Sequence, residues 1–327
     1  MYSNGEVKEG SILCDSCGTR YTVLNYVPRF VPADAYVGSF TFQWKNFPRI
    51  QYGSETERSF SRFNLKLEEL SDKRILDAGC GSGRFVDFFS KHAAEVVGID
   101  LSYSVDEALR HCGLRQNVHI LQADLLRLPL KEEIFDLVFS FGVLMHSPST
   151  KNAFMQITRF VKPRGRLAVF VYAKWSEKGA WGSRAKERLS DSYRKITSRL
   201  PFGVLHKLSY IAIPLYEMKK VPKLGKLVDI AIESSMNPDW RLRVLETFDW
   251  YSPKYQWKHT RAEVVSWFKE AGFNEIFVSS HPVSVVGSKT QQNITSQASA
   301  ARGSRTVSHE HSKPAHEGKC SRKSSHR

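Results

Sequence analysis

The chain has 327 residues, of which 41% are hydrophobic, and a formal net charge of +15; that is enough to bury a full α/β core with a second element beside it. No apolar run approaches the roughly 18 residues of a membrane-spanning helix, and the longest candidate, Leu208 to Tyr216, is interrupted by Pro214, which excludes a helical transmembrane protein. Five scattered cysteines fit a reducing compartment better than a disulfide framework, and Met1 to Glu6 lacks the basic and apolar regions of a signal peptide, so the expected location is the cytoplasm.

Residues 1–35 contain Leu13-Cys14-Asp-Ser-Cys17-Gly between apolar and aromatic residues, and they resemble the second half of a small zinc ribbon. A Cys-x-x-Cys pair is one knuckle of a tetrahedral zinc site, which takes four ligands. Only one knuckle is present, and Cys80 and Cys112, in the next domain, are poor substitutes. A partial ribbon without metal is expected. Residues 36–70 read as a helical extension, aromatic from Ser39 to Phe47 and helical from Glu55 to Leu70. Trp44 and Phe47 are candidates to line a pocket in front of the following domain.

Residues 71–173 carry the chemistry. Ile75-Leu-Asp-Ala-Gly-Cys-Gly-Ser-Gly-Arg-Phe85 begins as a buried strand, turns on Gly79, Gly81 and Gly83, and starts a helix at Arg84; Val96-Val-Gly-Ile-Asp100 is the next strand. This is a nucleotide-binding βαβ unit, in which the glycines let the backbone approach a ligand at the helix N-terminus. Asp100, at a strand tip, is placed to accept hydrogen bonds from two ribose hydroxyls. A dinucleotide fingerprint needs glycine where Arg84 stands, so the spacing argues against NAD. Asp77, two residues before the first glycine, would repel a pyrophosphate and attract a cationic amino-acid moiety. S-adenosylmethionine, which carries an ammonium, a sulfonium and an adenosine, fits that pattern.

These residues resemble motif I and the acidic motif of class I S-adenosylmethionine-dependent methyltransferases. The resemblance continues through Leu121-Gln-Ala-Asp124-Leu-Leu-Arg-Leu-Pro129, through Phe135 to His146, and through Val161-Lys-Pro-Arg-Gly165 to Tyr172. It implies an α/β, Rossmann-like, seven-stranded sheet formed by 71–173 and 260–287. It also implies a cofactor site of Asp77, Gly79, Gly81, Gly83, Asp100, Leu101, Asp124 and Leu125, with Asp124 at the adenine amino group. Thr260 with Glu263 three residues on and Gly272 beyond frame an amphipathic helix. Asn274 to Ser280 and Pro282 to Gly287 then read as a closing hairpin.

Residues 174–259 form an insertion broken into short helices by Pro201, Pro214 and Pro222, and the resemblance places it as a lid over the acceptor. Residues 174–226 hold 13 Lys and Arg against 4 Asp and Glu, whereas residues 1–173 hold 21 against 19. The excess charge therefore lies on the lid and on the tail, 288–327, which reads as disordered and basic. A cationic amphipathic lid suits peripheral contact with anionic lipid or an anionic acceptor. The reaction expected is in-line methyl transfer to a small-molecule or lipid- or saccharide-linked acceptor, with His146 as general base and His259 and Tyr251 as second candidates. A tRNA acceptor is the alternative, less favoured because basic charge alone is nonspecific; a noncatalytic cofactor-binding protein is the remaining one.

Overall fold

The computed structural model describes residues 2–3, 6–31, 36–113, 115–174, 177, 183–280 and 283–291. Ten strands form one sheet: β1 (Glu9–Leu13), β2 (Arg20–Leu24), β3 (Val27–Arg29), β4 (Arg74–Ala78), β5 (Glu95–Asp100), β6 (Val118–Gln122), β7 (Phe135–Phe141), β8 (Val161–Phe170), β9 (Phe273–Val278) and β10 (Ser284–Lys289). Their order across the sheet is β9-β10-β8-β7-β4-β5-β6-β3-β2-β1. Strands β4 to β8 run parallel, whereas β10 pairs antiparallel with both β8 and β9.

Apolar layers cover both faces of the central strands, as a parallel sheet requires. Successive residues alternate between them, so Ile75 packs with Phe85, Phe89 and Phe139 on one face while Leu76 packs with Phe154 and Phe268 on the other. The first layer is carried by α2 (Ser54–Phe60), α3 (Arg84–Phe89) and α4 (Val105–Cys112), the second by α5 (Thr150–Thr158) and, beyond the lid, a helix over Arg261–Glu270. That last helix begins with the expected capping box: Thr260 Oγ1 accepts from the Glu263 amide, and Glu263 accepts from the Thr260 amide.

Seven strands were expected, and the difference lies at the N-terminus. Residues 9–29, expected to resemble part of a zinc ribbon, supply β1 to β3, which extend the sheet edge beyond β6. The Phe30 amide donates to the Gln122 carbonyl at 2.8 Å, while Arg29 donates to the Gln122 side chain at 2.8 Å and to Asp106 at 2.6 Å. An exposed strand edge is thus covered by chain that could not bury a core alone. Cys14 and Cys17 sit at the β1–β2 turn, and among the described residues no group of three or more His, Cys, Asp or Glu could hold a metal. The tail also starts later than expected, because Ser288 and Lys289 pair in β10; residues 292–327 lie outside the described residues.

The insertion is helical: α6 (Ser183–Thr197), α7 (Phe202–Ser209), α8 (Ala212–Lys220), α9 (Leu224–Ala231) and α10 (Trp240–Tyr251), with the Arg261–Glu270 helix following as α11. Pro201 caps α7 and Pro222 separates α8 from α9. Pro214 lies in the first turn of α8, where a missing N–H is tolerated. No helix among the described residues is long and apolar enough to cross a membrane.

Candidate functional site

The strand order reverses between β4 and β7, the place where ligands of open α/β sheets bind, beyond the carboxyl ends of the strands. A cavity of about 380 Å³ lies there. One half is walled by Gly79, Gly81, Asp100, Leu101, Asp124 and Leu125; the other by Arg84, His146, Tyr172, Glu246, Asp249 and Trp250. Tyr36, Gln43 and Trp44, the last two from α1 (Gly38–Asn46), close over the first half.

The glycines divide the work. A Cβ at Gly81, whose φ is +52°, would stand 2.9 Å from the Trp44 indole nitrogen. Its amide donates to Asp100 Oδ2 at 2.9 Å, tying the turn to the tip of β5. Gly83 does not line the cavity: a Cβ there would lie 2.9 Å from the Ala108 backbone, so this glycine lets α3 and α4 approach.

Asp100 accepts from the amide of Ser102 at 2.8 Å and from its hydroxyl at 2.6 Å, both on Oδ1. Burial raises its pKa, against these bonds and the one from Gly81. Oδ1 is taken up by Ser102, whereas Oδ2 carries the Gly81 amide and faces the cavity that Asp100 lines. Asp124 Oδ1 accepts from the Leu126 amide at 2.9 Å and starts a short turn over Leu125–Arg127. Near it, Tyr36 has its phenol pushed up to about 12, by burial first and then by the Asp124 charge.

Asp77 stands behind the turn rather than in the cavity wall. It is 1% exposed, its Oδ2 has no hydrogen-bond partner, and burial pushes its pKa up to about 8, opposed by the Arg84 charge. The acid expected to meet the ligand as a carboxylate thus lies behind the cavity wall, where burial favours its protonated form.

His146 ends a short turn after β7, 6% exposed, between the Phe40 and Tyr172 rings. Its Nδ1 is 2.9 Å from the Tyr255 carbonyl oxygen. A carbonyl only accepts, so Nδ1 carries the proton and Nε2 keeps a lone pair; buried Nε2 has no partner in the protein. Burial lowers the pKa of this imidazole, which keeps it neutral. Beside it the Tyr172 hydroxyl donates to Asp249 at 2.5 Å, and the Tyr172 ring stacks on Trp250 at 5.8 Å.

The wall accommodates S-adenosylmethionine on its own chemistry: the buried, unpartnered Gln43 Oε1 and the cavity-lining carboxylate of Asp100 suit the donors of a cationic nucleoside. Comparison with known proteins agrees. Residues 76–169 match the family model described as a methyltransferase domain. These residues form a class I S-adenosylmethionine-dependent methyltransferase domain. Among relatives, the malonyl-[acyl-carrier protein] O-methyltransferase of Legionella pneumophila is 34% identical over 117 residues, 34% of this chain and 39% of that protein. The tRNA U34 carboxymethyltransferase of Pseudoalteromonas translucida is 32% identical over 136 residues, 38% and 42% of the two chains. The chain thus spans about two fifths of the length of these relatives. The N-methyltransferase NodS of Bradyrhizobium japonicum, solved with S-adenosyl-L-homocysteine, is 19% identical with a TM-score of 0.37, over 44% of this chain and 76% of that one.

Around the methyltransferase domain, two proposed acceptor residues lie away from the cavity. The Tyr251 hydroxyl donates to the Glu233 carbonyl at 2.9 Å, and its ring packs with Leu205 and Phe248 inside the lid. His259 packs on Trp267, and its Nε2 lies 2.9 Å from Thr150 Oγ1; its backbone bonds to Tyr172 and Lys174, fastening the lid to the chain leaving β8. Phe47 also misses the cavity and packs edge-on against His206 at 5.3 Å.

Asp249 lies in the stretch Thr247 to His259, whose residue types suit substrate contact, whereas Arg84 and Glu246 were not anticipated as cavity residues. Arg84 had a signal, since a cation at the first position of a helix opposes the macrodipole and so points to a role outside the helix. Glu246, Asp249 and Trp250 share one face of α10 by their i, i+3 and i+4 spacing, but only the packing of the lid turns that face inward.

Proposed function

We propose that this chain methylates a small-molecule or lipid- or saccharide-linked acceptor in the second half of the cavity, with S-adenosylmethionine held in the first. Asp100, Asp124, Gly81 and Gln43 would hold the cofactor, with Leu101 and Leu125 packing beside it. When bound, it supplies a methyl group on a sulfonium, electrophilic enough that the protein need only position the acceptor and manage one proton.

The observation that carries the reading is one cavity joining those acids to an imidazole with a free lone pair. His146 Nε2 takes the proton of an acceptor hydroxyl, amine or acidic carbon, and its Nδ1 bond to Tyr255 fixes the ring and the tautomer. Tyr172, held by Asp249, orients the acceptor's polar group, while Trp250 and α1 exclude water. His146→Ala should lower kcat by 10²- to 10⁴-fold, the range of general-base catalysis, with little change in cofactor affinity. Full turnover in that variant would remove His146 as the base. A screen of cell extracts with a radiolabelled methyl donor finds the acceptor, and RNA binding with a steep salt dependence would shift the assignment to tRNA.

A further inference from the structure

The outer side of the lid is unlike the rest of the surface. On α7 and just beyond it, Val204, Leu208 and Ile211 are 47%, 54% and 49% exposed and lie three to four residues apart, on one helical face. After α8, Val221, Leu224 and Leu227 are 49%, 42% and 67% exposed, the last two three residues apart on α9. The opposite sides are occupied: Leu205, Ala212 and Leu215 are buried, and Leu205 shares a core with Phe248 and Tyr251 of α10. A soluble surface rarely gathers large aliphatic side chains so densely. Interleaved with them are exposed Lys207, Lys220, Lys223 and Lys226, and the only acid on 201–227 is Glu217, paired with Lys220 at 3.0 Å.

We infer that the outer face of α7 to α9 docks on an anionic lipid surface, with its aliphatic side chains entering the headgroup layer and its lysines meeting lipid charge. Composition selects this occupant. Contacts between proteins favour aromatic residues and arginine and are poor in lysine, whereas aliphatic residues flanked by lysine are the signature of helices lying in a membrane interface. A second copy would set the face against itself across a two-fold axis, opposing like charges. Tyr210 and Trp240, exposed and with rings 6.4 Å apart, add amphipathic aromatic edges of the kind that sit at headgroup depth. Behind this face lies α10, whose Glu246, Asp249 and Trp250 wall the acceptor half of the cavity. Docking would place that half one helix away from the lipid and make a membrane-resident amphiphile the acceptor class. The acceptor assignment rests on the methyltransferase reading; the docking does not.

The test is flotation of the full chain with vesicles of phosphatidylcholine alone and of phosphatidylcholine with phosphatidylglycerol. The wild type should float with the anionic vesicles, less so as salt rises, and hardly with neutral ones. Leu208→Glu with Leu227→Glu should lower partitioning at least tenfold. Lys220→Ala, Lys223→Ala and Lys226→Ala together should lower it roughly a hundredfold at low salt, the expectation for three lysines near a charged bilayer. These positions are exposed and outside the cavity, so unchanged circular dichroism and cofactor binding show that the variants fold. Absence of flotation at low salt overturns the proposal. So does a lipid-free dimer, seen by sedimentation, that the glutamate variants dissociate. The readout needs no turnover, so docking and methyl transfer fail separately.

Discussion

At the scale of single residues, the site depends on carboxyl groups in unequal surroundings. Asp100 is half-buried and held by the Gly81 amide and by Ser102, and it is the group proposed to meet the ribose. Asp100→Ala should weaken S-adenosylmethionine binding at least tenfold by calorimetry, since it also frees the Gly81 amide and loosens the turn; unaltered affinity would remove this acid from the site. Asp77 behaves differently. Its pKa is raised from 3.8 to about 8, so the folded chain holds a proton there that the unfolded chain releases. Its contribution to stability is complete below about pH 4 and falls as pH rises through about 8. In Asp77→Asn, which keeps the shape and loses the titration, stability relative to wild type should climb across that window in denaturation experiments. A flat difference would show that Asp77 is ionised in the fold.

At the scale of elements, close approach is what the glycine turn secures. α3 and α4 touch at Gly83, where φ is +89° and a Cβ would meet the Ala108 backbone at 2.9 Å and Cys112 Sγ at 3.1 Å. Strain and overpacking of this kind each cost about 1–3 kcal/mol. Gly83→Ala should therefore lower unfolding stability by that order, measured by urea titration, with α4 displaced from the sheet. Cofactor affinity should fall less than in Asp100→Ala, because Gly83 faces the helix and not the cavity. The lid obeys the same logic from the other side: α10 is useful because one face, Glu246, Asp249 and Trp250, enters the cavity while Phe248 and Tyr251 build a small core with Leu205.

At the scale of the whole molecule, burial of neutral imidazoles couples the lid and the sheet to pH. His146, His206 and His259 all have pKa values lowered, in each case chiefly by burial. Each contributes stability that is complete above the ordinary value of about 6.5 and is lost as pH falls through it, because the unfolded chain takes up the proton more readily. Between pH 7 and 5 the imidazoles pull the melting temperature down on acidification while Asp77 pulls it up, so the difference between variants isolates them: His206→Phe, at the junction of α1 with the lid, should lose less stability on acidification than the wild type. An identical pH dependence of the melting temperature in wild type and His206→Phe would show this imidazole to be solvated.

Much of this was legible in the residue order, because it depends on neighbours along the chain. The alternation of Ile75 and Leu76, the tight turn at Gly79 to Gly83, the acid at the end of the next strand and the Thr260–Glu263 box are local patterns whose meaning follows from strand and helix geometry. His146 was legible as the residue following a strand that ends at the ligand edge. Its tautomer was not, since that is set by the Tyr255 carbonyl 109 residues away. Nor could the order show that Asp77 lies behind the turn, that Gly83 serves a helix contact, that Tyr251 and His259 face away, or that the N-terminal strands extend the sheet edge. Each of these is decided by which surfaces exclude water together, and burial, unlike periodicity, belongs to the folded chain.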